Sequence, residues 1–247
     1  MKIVLSTSTL KGYGLDRIFK FAKDAGYDGL DIKVEYGNYD TYDSDYVNEL
    51  VKKHSLPVNA IEAPDTYTQK DIEKLIKFAK EISCKIIVVS APSLLSFSLT
   101  KWLKKEVPKI RRKENISIAL ENAKDETYLG IIPKKAMNNI LEMKKFKHAC
   151  IDISLLADRG SDIIRTYNNL KDFLVHVHIS NSTKKEQYAR LKSGTLPVES
   201  LLSKLKDNNY LGAISIKVSP KEFELKDKEE VVKGLKEELE FCNKYVK

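Results

Sequence analysis

Short apolar runs alternate with amphipathic stretches along the whole chain. The runs Ile3–Thr7, Gly29–Val34, Val58–Glu62, Lys85–Ser90, Ile116–Glu121, Ala149–Ile153, Phe173–Ile179 and Ala213–Val218 have the length and β-branched content of buried strands. Between and after them, apolar positions recur at helical spacing over Leu15–Ala25, Tyr42–His54, Gln69–Ile82, Leu99–Arg112, Lys134–Lys144, Asp162–Leu170, Val198–Asn208 and Lys228–Tyr245. Ile18, Phe19 and Ala22 share one face of the first helix, which Gly26 ends, and Ile72, Leu75, Ile76 and Ala79 share one face of the third. Eight strands, each followed by a helix, imply parallel strands joined by crossovers.

Eight such units in 247 residues fit a closed α/β fold, a single (β/α)8 TIM barrel, better than an open doubly wound sheet. No linker or low-complexity segment divides the chain, so residues 1–247 are expected to form one domain. No Gly-x-Gly-x-x-Gly follows the first strand and no P-loop pattern is present, which argues against a dinucleotide or nucleoside triphosphate site.

Side chains alternate across a strand, so each strand end can be sorted into outward and inward positions. In Ile118-Ala119-Leu120-Glu121 the large apolar residues point outward and Glu121 inward. The same rule turns inward Cys150 and Asp152, His176 and His178, Ser215 and Lys217, and Asp31 and Lys33, with Glu62 ending the third strand. At least six strands thus carry an ionisable residue inside, near their C-terminal ends. Buried charge costs several kcal/mol unless paired or metal-bound, and barrel enzymes place their sites on this face. The convergence reads as a functional site rather than a purely structural ion-pair network.

Composition narrows the class. A hydrophobic content of 42% supports a packed core and excludes disorder of the whole chain. No run of about 18 apolar residues suggests a membrane span. The start, Met1 to Ser6, reads as a first strand rather than a signal peptide. Cys84, Cys150 and Cys242 are few, odd in number and widely spaced, which points to a reducing cytoplasm and not to a disulfide framework. Lys+Arg outnumber Asp+Glu by 43 to 35, a net charge of +8, but only six of the cations are arginines. The densest cluster, Lys101, Lys104, Lys105, Lys109, Arg111, Arg112 and Lys113, is broken by Glu106 and reads as an exposed helix and its exit turn. Nucleic acid is therefore not the expected partner. His54 and His148 fall at helix-to-strand turns and are expected at the surface, and Trp102 is expected to pack on an outer helix.

The chain resembles the xylose isomerase-like TIM barrel superfamily, which includes sugar isomerases and epimerases and the endonuclease IV type of DNA repair enzyme. Ala25-Gly26-Tyr27-Asp28-Gly29-Leu30-Asp31 is similar to that family's Gly-aromatic-x-Gly-x-Glu segment, with Asp31 at the acid. Ile118-Ala119-Leu120-Glu121-Asn122 is similar to its strand with a metal-binding Glu, Ile151-Asp152 to the start of its Asp-x-x-His, and Val175-His176-Val177-His178-Ile179 to its His-x-His strand. Asn209-Tyr210-Leu211-Gly212, within Leu196–Val218, resembles its last helix and strand. The resemblance implies one divalent metal held by Glu, Asp, His and a final-strand Glu. Glu121, Asp152 and His178 match the first three, and Lys217 stands at the fourth. Leu155, Tyr188 and Glu62 stand where further histidines are expected, which argues against a trinuclear zinc cluster and hence against the endonuclease.

An ammonium at the fourth corner repels a dication by about 8 kcal/mol at about 4 Å and an effective dielectric near 20. The expectation is therefore that Lys217 sits between Glu121 and Asp152 as a built-in cation, so that the cofactor is none; a retained or shifted Mn²⁺, Mg²⁺ or Zn²⁺ on Glu121, Asp152 and His178 is the alternative. By the same resemblance Glu121 is the surviving catalytic base, Glu62 a candidate second, and Lys217 a group that polarises a carbonyl. His176, Asp31 and Tyr188 are candidate contacts to a small, polar, sugar-like ligand. Tyr36, Tyr39 and Tyr42 could wall that ligand or pack as an ordinary loop. Three functions follow: a sugar or hydroxy-carbonyl isomerase or epimerase with a degenerate metal site, a metal-free ligand-binding barrel without catalysis, and, last, the endonuclease.

Overall fold

Each expected strand pairs in parallel with its neighbours, and the last returns to the first. In a computed structural model that describes residues 1–246, the strands are β1 (Lys2–Ser6), β2 (Leu30–Lys33), β3 (Val58–Glu62), β4 (Ile86–Ser90), β5 (Ser117–Glu121), β6 (Ala149–Asp152), β7 (Leu174–Ile179) and β8 (Ala213–Ile216). They close a barrel in the order β1-β8-β7-β6-β5-β4-β3-β2. The helices around it are α1 (Leu15–Ala25), α2 (Ser44–His54), α3 (Gln69–Glu81), α4 (Phe97–Lys105), α5 (Val107–Glu114), α6 (Ile140–Phe146), α7 (Ile153–Asp158), α8 (Ile163–Leu170), α9 (Val198–Asp207) and α10 (Lys228–Val246). The chain is thus a (β/α)8 TIM barrel. No described helix is long and apolar enough to cross a membrane.

The alternation rule holds through the barrel. Outward residues such as Leu5, Ile32, Ile61, Ile87, Leu120, Ile151, Val177 and Ile214 are buried in one continuous core under the helices. Inside, Val88, Ala119 and Cys150 form a small separate cluster. These small side chains leave room above them for the larger polar groups at the strand ends. Register brings those groups level: Lys33 stands opposite Glu62, Ser90 opposite Glu121, and Asp152 opposite His178.

Several expectations change. The helix Leu99–Arg112 is two helices that meet at Glu106, with Pro108 in the first turn of the second, where a missing N–H costs nothing. Arg111, expected in an exposed basic cluster, is buried and donates to the Ile118 and Phe146 carbonyls. The helix Lys134–Lys144 begins only at Ile140, because Thr127–Tyr128 and Ile132–Pro133 pair as a hairpin ahead of it. The strand expected to reach Ile153 stops at Asp152, whose carboxylate caps α7, and the last strand ends at Ile216. His54 is not a free surface residue: Nε2 lies 2.7 Å from Asp16 and its ring tilts against Phe19. His148 is half-buried, and burial lowers its pKa to about 4.

The segment between α1 and β2 shows why two glycines are needed. Gly26 ends α1 at φ 92°, a left-handed cap that L side chains rarely adopt. At Gly29 a Cβ would fall 1.8 Å from Asn59 Oδ1 and 2.6 Å from the Pro57 carbonyl oxygen, so β2 can approach β3 only without one. Gly29→Ala should lower stability by roughly 1–3 kcal/mol, the usual cost of forced overpacking. A urea midpoint indistinguishable from wild type would contradict that close approach.

Candidate functional site

The inward polar residues gather at the C-terminal mouth in two layers. The lower layer is closed to solvent. Asp31 Oδ2 lies 3.1 Å from His176 Nε2 and 2.8 Å from His178 Nε2, and all three side chains are fully buried. Burial alone would raise the Asp31 carboxyl, but the two histidines outweigh it and hold it well below the usual range. Burial lowers His176; it would lower His178 too, but Cys150, Glu121 and Asp31 around it outweigh burial and hold it well above its ordinary value. His178 reaches upward through Nδ1 to Glu121 Oε1.

The upper layer lines a cavity of about 390 Å³ whose walls include Glu62, Ser90, Glu121, Asn122, Tyr188 and Lys217. Lys217 Nζ lies 3.0 Å from Glu62 Oε1, 3.6 Å from Asp152 Oδ2 and 4.0 Å from Glu121 Oε1. Its nearest partner is therefore Glu62, not the Glu121–Asp152 pair expected from the sequence. Lys33 Nζ takes the same Glu62 oxygen at 2.9 Å and also binds Asp65 at 2.7 Å. Burial pushes the Glu62 carboxyl up, yet the two ammonium groups bring it down to about 2. Lys217 responds in kind: burial would lower it, but Glu62, Glu121 and Asp152 raise it well above the usual lysine value.

Asp152 is engaged on both oxygens. Oδ1 accepts the Ser154 and Leu155 backbone N–H groups, and Oδ2 accepts the Tyr188 hydroxyl at 3.1 Å. Burial raises its pKa, with Lys217 opposing and Glu121 adding to the rise. Asn122 locks the same corner by exchanging two hydrogen bonds with the Asp152 backbone. Tyr188 sits at φ 63°, a strained conformation for a bulky residue, with its ring 5.7 Å from the Lys217 ammonium. Glu121 differs from Glu62 and Asp31, whose unpartnered second oxygens, Oε2 and Oδ1, are buried. Among the described residues, Glu121 Oε1 accepts from His178, while its Oε2 accepts no hydrogen bond and the side chain borders the cavity.

Of the candidate residues, Glu62, Glu121, Lys217 and Tyr188 meet at the cavity wall, whereas Asp31, His176, His178 and Asp152 lie beneath it, out of solvent. Tyr36, Tyr39 and Tyr42 line none of the mouth cavities. Lys33 was read as inward from the sequence but not as part of the site; its bond to Glu62 spans two strands, and no sequence spacing reveals it. Two groups have ligand atoms close enough to share a metal: Asp31, His176 and His178, and Glu121, Cys150 and His178. Asp152 belongs to neither.

The chain belongs to the xylose isomerase-like TIM barrel family, whose model matches residues 19–245. An uncharacterized protein of Mycobacterium leprae is 21% identical over the whole of this chain and 98% of its own length. Among solved structures, the apo form of a 3-keto-D-glucoside 4-epimerase from E. coli superposes with a TM-score of 0.72 at 17% identity, covering 99% of each chain. The IolI protein with a bound zinc atom gives 0.75 at 17% identity, again over 99% of each chain. At these identities the likenesses establish the fold.

The ion pairs around Glu62 carry a pH signature. The group titrates near 4.5 when unfolded and about 2 when folded. Its stabilisation is therefore complete above about 4.5 and is lost as pH falls toward 2, on the order of 3 kcal/mol. Chemical denaturation across that window should show the stability gap between wild type and Glu62→Gln closing as pH falls; a gap independent of pH would contradict the assignment.

Proposed function

We propose that the protein is an isomerase or epimerase of small sugar-like hydroxy-carbonyl compounds in which the Lys217 ammonium takes the electrophilic role of a divalent metal. A dication placed among Glu121, Asp152 and His178 would lie against that ammonium and meet a repulsion of about 8 kcal/mol at about 4 Å. Asp152 already spends both oxygens on α7 and Tyr188. This donor set, as folded, does not fit the metal that the family resemblance implies. The observation that carries the reading is the free Oε2 of Glu121 on one wall of the same cavity as a cation held by three carboxylates.

In this scheme a substrate carbonyl oxygen accepts a hydrogen bond from Lys217, and Glu121 removes the proton from the adjacent carbon. The negative charge that develops on the oxygen is stabilised by the ammonium, with half the charge of a metal. Isomerisation is completed when Glu121 returns the proton to the neighbouring carbon while the hydroxyl proton there passes to the oxygen held by Lys217; epimerisation takes its proton on the opposite face from solvent. His178 and Asp31 orient Glu121 from below rather than touch substrate, and His176 steadies Asp31. Glu62 stays ionised and anchors Lys217, so it serves as a positioning group and not as a second base. A Schiff base is disfavoured because the surrounding acids keep Lys217 protonated. The free thiols of Cys84, Cys150 and Cys242, all buried, support a reducing, cytoplasmic setting. A second reading, a ligand-binding barrel without catalysis, draws on the same double lysine clamp, which immobilises one of the two carboxylates that an acid–base pair would use.

Deuterium exchange into free ketohexoses, followed by NMR in D₂O with excess chelator, separates the two. The catalytic reading expects exchange next to the carbonyl that resists the chelator and drops roughly 10²–10⁴-fold in Glu121→Gln. Binding without exchange supports the second reading, and exchange that needs added Mn²⁺ removes the first. Titration calorimetry tests the replaced metal directly: Lys217→Glu should bind Mn²⁺ at least tenfold more tightly than wild type, and equal affinity would refute replacement.

A further inference from the structure

Three cavities open on the same face and share walls. The one bordered by Glu121 meets a second, of about 460 Å³, along Glu62, Asp65, Tyr188 and Lys217. The second meets a third, of about 360 Å³, along Ser8, Lys11, Lys33 and Glu35. The third ends against Tyr13 and Gly14, at the start of α1. One end of this trough thus follows β5 and the other follows β1, which stand opposite each other in the strand order. With strands about 4.8 Å apart and tilted about 36°, an eight-stranded barrel is about 15 Å across. The trough crosses the whole mouth. Small-molecule sites occupy roughly 300–1,000 Å³, and each of the three cavities alone reaches that range. A monosaccharide held at Glu121 would leave the other two unfilled.

The lysines of the outer part are matched, and Glu186 adds a further carboxylate to the second cavity. Lys11 lies 2.8 Å from Glu35, Lys33 is held by Glu62 and Asp65, and Lys217 by Glu62. No lysine there is in surplus to receive a phosphate or carboxylate. The remaining walls carry hydroxyl and amide groups, including Ser8, Thr41 and Gln187, and the rings of Tyr188 and Tyr13. Hydroxyls and amides suit uncharged polyols, and aromatic faces suit the C–H faces of sugar rings.

We infer that the substrate is an extended, uncharged glycoside: a carbonyl-bearing sugar at Glu121 whose second sugar unit lies along the trough toward α1. The inference rests on the reaction site proposed above and adds what occupies the rest of the cleft. Calorimetry on chelator-treated protein tests it with D-fructose, lactulose (a ketohexose carrying a galactosyl unit) and fructose 6-phosphate. Lactulose should bind at least tenfold more tightly than fructose, and the phosphate no more tightly than fructose. Ser8→Trp and Lys11→Trp put bulk into the trough, and each should bring the lactulose-to-fructose affinity ratio toward one. Lys11 is largely exposed, so its variant is expected to fold even if the Ser8 variant does not, and thermal unfolding checks both. Equal affinity for the two ketoses, a ratio unmoved in a folded variant, or tighter binding of the phosphate overturns the inference while leaving chelator-resistant exchange at Glu121 intact. Binding of neither ketose, together with no exchange, overturns both.

Discussion

Four carboxyl groups, those of Asp31, Glu62, Glu121 and Asp152, stand at one end of this barrel with almost no water to solvate them. Unpaired, each would cost several kcal/mol, more than a domain of this size can absorb four times over. Three cationic side chains answer them. Lys33 and Lys217 converge on one oxygen of Glu62, and His178 lies between Asp31 and Glu121. The shortfall falls on Asp152, whose carboxyl is pushed toward its neutral form by burial and is tied down by backbone N–H groups and a tyrosine hydroxyl. Position and charge state in this mouth are thus mutually determined. Moving any one member leaves another unpaired in a low dielectric, which keeps the geometry rigid.

That rigidity shapes what the site can do chemically. A base that is fully paired cannot take a proton, and a cation that is fully enclosed cannot polarise a ligand. Glu62 leaves Oε2 buried without a partner, but two ammonium groups on Oε1 keep the carboxyl ionised, so it sits in the wall as an anchor. Glu121 is held less tightly, by His178 from below and by Lys217 only at 4.0 Å. Lys217 is not fully enclosed, since its three carboxylate neighbours leave it bordering two cavities. In the proposed mechanism the division between supporting and reactive groups follows from how many cations hold each carboxylate.

Much of this was legible in the sequence because the barrel repeats one simple rule eight times. Strand alternation placed Asp31, Glu121, Asp152, His176, His178 and Lys217 inside before any coordinates, and all six are there. The boundaries failed where tertiary contacts outvote local pattern. Ile153 continues an apolar run, yet Asp152 turns the chain into α7 because its carboxylate can cap two N–H groups. Arg111 reads as a surface charge by composition, but its guanidinium donates to the carbonyls of Ile118 in β5 and of Phe146 at the end of α6. Depth was illegible too. Alternation tells inside from outside, but not whether an inward residue lies at the floor, as Asp31 does, or at the wall, as Glu62 does.

Two departures from the family pattern also explain each other. The resemblance implies a histidine at the end of β3 and a glutamate after β8; this chain has Glu62 and Lys217, and the two are 3.0 Å apart. Changing only the glutamate to lysine would have set an ammonium beside a metal. Changing only the histidine to glutamate would have added an unmatched buried anion. Together they form a pair that neutralises itself, with Lys33 drawn in as a second clamp on the same oxygen. An accidental loss of one ligand would leave a hole or a strained charge, whereas here a new partner stands on the strand three places away in the barrel. In the proposed reading the exchange is a reorganised electrostatic centre, and a test that restores one residue alone measures the coupling as well as the site.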